Sequence, residues 1–226
     1  MSLFRQSIIK FNHYNHNHLR KFCTSNEIKS YPKIMQLYHW TMALGIGGAI
    51  GLVEYHKRLP KGDARHGTLM YYHKSLGVLM MGFILLRFGT RITNKLPGYL
   101  PGASWEHTLS SISHWGLYGF MFFMPMSGIA MGYYGGKGLP FFVTTIPGKS
   151  EPSKDDKSLA GMAYKYHKKA GTALEAFLAL HISAAFFHAL RGQAIFSRIL
   201  PIAGGALFME CNDDLYYNLI IDDDNE

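Results

Sequence analysis

The amino-acid sequence predicts an all-α integral membrane protein, an up-and-down bundle of four helices. Three observations carry that prediction. Four apolar runs of membrane length divide the chain, clusters of Gly and Pro separate them, and each run contains histidine at a depth where an unpartnered polar side chain is costly in lipid. The hydrophobic content of 48% fits a soluble or a membrane protein, so the distribution decides. Apolar runs alternate with a polar amino-terminal segment, charged loops and an acidic tail.

The first span, Met35 to Val53, is apolar except at Gln36, His39 and Thr41, and about 19 residues suffice to cross a bilayer as a helix. Met70 to Leu86 forms the second and ends on Arg87, Ser111 to Tyr133 the third, and Ala170 to Leu190 the fourth, ending on Arg191. Glycines such as Gly45, Gly47, Gly48 and Gly51 would weaken a helix in water but permit close helix contact in lipid. A soluble bundle would show a polar stripe along each helix, and Met121-Phe122-Phe123-Met124-Pro125-Met126 has none. Turn formers mark the connections: Pro60 and Gly62, then Pro97, Gly98, Pro101 and Gly102, then Gly135, Gly136, Pro147 and Gly148. An even number of spans puts both ends of the domain on one side, called here the near side, with the first and third connections on the far side.

Outside the bundle, residues 1–26 hold no Asp or Glu but carry Arg5, Lys10, Arg20 and Lys21, the composition of a mitochondrial transit segment. The expected location is therefore the mitochondrial inner membrane, multi-pass, with a four-helix domain over residues 34–201 and an acidic tail over residues 202–226. His13, His16 and His18 lie in an Asn-rich stretch and read as compositional. The net charge of +8 does not form one basic face, which argues against nucleic acid. The two cysteines, Cys23 and Cys211, make neither a disulfide framework nor a Cys-x-x-Cys-His site, so any haem is held by coordination and packing alone.

Histidine positions then point to the chemistry. His167 and His181 are 14 residues apart, a net rotation near 40° and a rise of about 21 Å, so both face one interior at two depths. His188 continues the stripe two turns further toward the near side. The up-and-down order sets His39 at the level of His181 and His73 at the level of His167. Two axial imidazole pairs on facing helices suit two b-type haems, and two haems separated along the membrane normal make an electron path. His114 opens the third span near the level of His39, where it either replaces that ligand or bonds a haem propionate. His56, His66 and His107 read as solvated loop residues.

These residues resemble the bacterial-type cytochrome b561 family, including its superoxide oxidase member and related b-type hydrogenase subunits. The likeness rests on His39-Trp40, on His73 followed by Arg87 and Arg91, on His114 with Pro125, and on His167, His181 and His188. It implies two haems, one on His39 and His181 and one on His73 and His167, with Arg87 and Arg91 neutralising propionates and His188 beside a quinone site. Interfacial anchoring is the plainer role for those arginines. Glu175 departs from the pattern, placing a carboxyl where an apolar residue is expected.

The far-side connections carry Lys57, Arg58, Lys61, Arg65, Lys137, Lys149, Lys154, Lys157, Lys165, Lys168 and Lys169 against five acids, a mouth that would concentrate a small anion or face anionic lipid. With the resemblance, this predicts a lipid-embedded oxidoreductase that takes electrons from superoxide or a protein donor and reduces ubiquinone. A different class stays open: a haem-bearing anchor relaying electrons within a larger respiratory complex.

Overall fold

The structure, a computed structural model, describes residues 30–98 and 102–201. The expectations for residues 1–26 and 202–226, and for both cysteines, fall outside these residues. Four long helices follow one another: α1 (Lys33–Arg58), α2 (Arg65–Thr93), α3 (Ser104–Tyr134) and α4 (Lys154–Leu190). A two-stranded antiparallel hairpin, β1 (Leu139–Phe141) and β2 (Thr144–Ile146), lies between α3 and α4, and a short α5 (Ile195–Ile199) follows α4. The protein is an up-and-down four-helix membrane bundle. Its helices of 26 to 37 residues exceed the roughly 20 that span a bilayer, and α2 and α4 pass as membrane spans on length and composition alone.

The outer surface fits lipid. Leu44 is 76% and Leu180 69% exposed, among many other apolar side chains turned outward, whereas the interior cluster is small: Met42, Met80, Ile84 and Tyr118. So much outward apolar surface is stable only where the surroundings are themselves apolar.

Within this frame α1 packs along α2 and α3 along α4, with α2 and α3 joining the two pairs. Close approach depends on missing side chains. A Cβ on Gly45 would meet the Met80 sulfur at 2.5 Å, and one on Gly116 would meet the Phe177 ring at 2.8 Å. Helix α4 starts 16 residues before the expected span because Ser153 and Asp156 form a capping box, the Asp156 amide donating to Ser153 Oγ at 3.1 Å. His167 consequently sits well inside α4.

The hairpin was not expected from the sequence, which reads as a turn-rich connection there. It braces α2 at the far end. Ser75, fully buried, donates to the carbonyls of Tyr71 and Pro140 and accepts from the Phe142 amide at 3.1 Å, and the Tyr71 hydroxyl bonds the Phe142 carbonyl. Gly138, with φ of +69°, makes the entry turn, where a Cβ would lie 2.7 Å from the Ile146 carbonyl oxygen.

At the near end α5 folds back on α1. The Gln36 amide donates to the Arg198 carbonyl at 3.1 Å and the Trp40 indole to the Ile199 carbonyl at 2.9 Å. Arg198 in turn donates to the Gly98 carbonyl at 2.6 Å, tying in the α2–α3 connection. These bonds fill carbonyls that a helix end leaves open, and so fix the depth of the first turns of α1 below His39.

Candidate haem-binding site

At the far level the structure brings His73 of α2 against His167 of α4, with ring centres 6.2 Å apart. Each ring is held from behind. His73 Nδ1 lies 3.0 Å from the Ala49 carbonyl oxygen, which only accepts, so Nδ1 carries the hydrogen. His167 Nδ1 lies 2.8 Å from Ser127 Oγ, whose own hydrogen goes to the carbonyls of Phe123 or Met124, so this nitrogen also donates. Both rings are thereby set in one tautomer, with the Nε2 lone pair free as a metal ligand requires. Pro125, two residues before Ser127, interrupts the backbone ladder of α3 at this depth, where Ser127 takes up a local carbonyl.

The spacing leaves room for a metal between the two rings. With a metal–imidazole bond of about 2 Å and a ring centre roughly 1.1 Å beyond the nitrogen, two ligands in line put their centres a little over 6 Å apart. The donor set therefore fits a haem iron at this level.

The near level is arranged differently. His39 of α1, His114 of α3 and His181 of α4 come together with Arg87, but the ring that meets His181 is His114, at 5.6 Å between centres. The expected partner, His39, instead has Nδ1 3.4 Å from the Arg87 guanidinium. The cause of the His114 contact is packing: Gly116 admits Phe177 and draws α3 onto α4 two residues from His114 and four from His181. Ser110 Oγ lies 3.4 Å from His114 Nδ1. Arg91 is one turn beyond Arg87, with its guanidinium over the Tyr118 ring at 5.5 Å.

His188 lies one turn-pair past His181, half-buried, and its Nδ1 is buried without a hydrogen-bond partner among the described residues. Beside it Arg191 covers Phe187 and donates to Glu106 at 2.8 Å, which holds the Glu106 carboxyl below its usual range. Glu175 is half-buried on α4 between the two levels. His56, His66 and His107 are helical, not in loops: His56 ends α1, His66 begins α2 and His107 lies in the first turn of α3. The residues that the sequence left unassigned are Ala49 and Ser127. Ser127, two residues past the interrupting proline, was the available signal; the carbonyl of Ala49 left none.

A membrane four-helix bundle that presents paired imidazoles at two depths defines the class of b-type cytochromes with coordinated, non-covalent haem. The comparisons with known proteins narrow this. Residues 30–201 match the family described as prokaryotic cytochrome b561, and the chain belongs to that family. It is similar to cytochrome b561 homolog 1 of Escherichia coli strain K12, 24% identical over 155 residues, 68% of this chain and 86% of that protein. It is also similar to cytochrome b561 homolog 2 of the same organism, 28% identical over 119 residues, 52% of this chain and 63% of that protein. The protein is thus a membrane cytochrome that binds b-type haem and transfers electrons across the bilayer.

Proposed function

We propose that the chain carries two haems, one between His73 and His167 and one between His39 and His181, and that it oxidises superoxide at the far mouth and reduces ubiquinone at the near side. The observation that carries the reading is the far-level pair, two imidazoles of one tautomer at a metal-spanning distance on facing helices. Bound haem supplies reversible one-electron chemistry, and two haems at separate depths supply a path.

The chain's own residues do the rest. The basic residues of the far connections raise the local concentration of a small anion such as superoxide. Arg87 and Arg91 place positive charge at the near level, which favours the reduced state there and directs electrons from far to near, and they are placed to neutralise propionates. His114, the ring that meets His181, is the second candidate for the near ligand and otherwise bonds a haem propionate. The unpartnered Nδ1 of His188 offers a hydrogen bond to a quinone carbonyl. The balance is two superoxide anions, one ubiquinone and two protons giving two dioxygen molecules and one ubiquinol. The composition of residues 1–26 supports the mitochondrial inner membrane as the location, while both relatives named above are bacterial.

Anaerobic stopped flow with added superoxide tests the activity: the haems of purified protein become reduced, and unchanged oxidised spectra would refute it. Native mass measurement separates this from a haem-bearing anchor that passes electrons between a partner and quinone. A tight stoichiometric partner, together with no turnover by the isolated chain, favours the anchor.

A further inference from the structure

Beyond electron transfer through haem, the far rim holds a second cluster of metal-type donors. His56, in the last turn of α1, and His66, in the first turn of α2, face each other with ring centres 4.4 Å apart and planes at 68°. The Pro60 carbonyl oxygen lies 3.0 Å from His66 Nε2 and only accepts, so that nitrogen carries the hydrogen. The lone pair is left on Nδ1, which is buried and has no hydrogen-bond partner among the described residues. A buried acceptor left unsatisfied is destabilising, and a bound cation would satisfy it.

We infer that His56 and His66 form a binding site for a divalent transition-metal ion of tetragonal preference, of the copper class. The distance selects the geometry. Two imidazoles on one metal, each with its ring centre roughly 3.2 Å from the ion, stand about 4.5 Å apart at a right angle, about 5.2 Å at the tetrahedral angle and over 6 Å in line. The observed 4.4 Å lies nearest the right angle of square-planar or octahedral ions. The Asp63 carboxylate does not complete the site: both its oxygens are engaged by Arg65, at 3.0 Å from Nε and 2.7 Å from NH2. Water therefore fills the remaining positions, and the ion is exchangeable. His73 lies within electrostatic reach of His56, so a cation here sits beside the far haem level.

The test is a titration of Cu2+ into the haem-loaded full chain, with His13, His16 and His18 replaced by Gln to silence the amino-terminal tract. Electron paramagnetic resonance is expected to show a tetragonal copper signal coupled to two nitrogens, with affinity falling more than tenfold in His56→Gln and in His66→Gln, and unchanged in Asp63→Asn. An unchanged haem spectrum in each variant shows that the bundle is intact. A titration identical in the doubly substituted protein overturns the inference. In the unsubstituted chain, Ni2+ is expected to protect His56 and His66 together from carbethoxylation, and equal modification with and without Ni2+ would also overturn it.

Discussion

The two histidine levels are held by different physics. At the far level each imidazole has a neutral acceptor behind it, the Ala49 carbonyl or the Ser127 hydroxyl, and the hairpin fixes α2 two residues away at Ser75. At the near level three imidazoles share space with Arg87, and the ring contacts follow helix packing. Hydrogen bonds to backbone set a tautomer and an orientation in advance; a cationic cluster sets a potential and leaves the rings free to choose partners. The far rings are oriented in advance by neutral acceptors, and the near rings share a positively charged neighbourhood.

The largest expected effect is on haem content. His73→Ala and His181→Ala should each remove one of two haems, halving the reduced-minus-oxidised absorbance per chain, and retention of full haem by either would break the assignment. Next, the near partner of His181 is decided by His39→Ala against His114→Ala. Only the first is expected to lose the near haem, the second keeping it with an altered potential, and the reverse result would make His114 the ligand.

Ser127→Ala sharpens the comparison at the far level. Removing the acceptor behind His167 should weaken far-site haem affinity by roughly 10–100-fold while leaving the near haem in place, as read by haem transfer to an acceptor protein. The counterpart at the near level is Arg87→Gln. Loss of one positive charge should lower the near midpoint potential by on the order of 40 mV, about 1 kcal/mol for one electron, with the far potential unmoved in redox titration.

The smallest effect concerns the two rims. Lys149 bonds Asp156 at 2.5 Å at the far rim, and Arg191 bonds Glu106 at the near rim. The Lys149 ammonium and the Ser153 donors hold the Asp156 carboxyl down at about 2. A lowered native pKa means the unfolded chain binds the proton more readily, so this contribution is complete above the ordinary carboxylate range and is lost as pH falls toward about 2. Asp156→Asn should lower the unfolding midpoint slightly near neutral pH and not at all in strong acid; a difference that persists in acid would assign the effect to the helix cap alone. Glu106→Gln should behave in the same sense at the near rim.

Much of this was legible along the chain because lipid makes the signal coarse. An apolar run such as Met35 to Val53 must become a helix, since no other local structure satisfies its backbone without water, and a histidine within it must find a partner. Spacing alone gave the two depths: 14 residues between His167 and His181 amount to nearly four full turns. The helix count, the near and far sides and the levels of His39, His73, His167 and His181 all follow from these one-dimensional facts.

Lateral neighbours were decided only in three dimensions. Which ring meets His181 depends on Gly116 letting Phe177 approach, and which nitrogen of His73 is free depends on a carbonyl of another helix 24 residues away. The hairpin over Ser75 and the His56–His66 contact likewise join segments whose own sequences say nothing of each other. Depth is a property of one helix and its rise per residue, whereas tautomer, ring partner and lone-pair direction belong to contacts between helices, which only packing supplies.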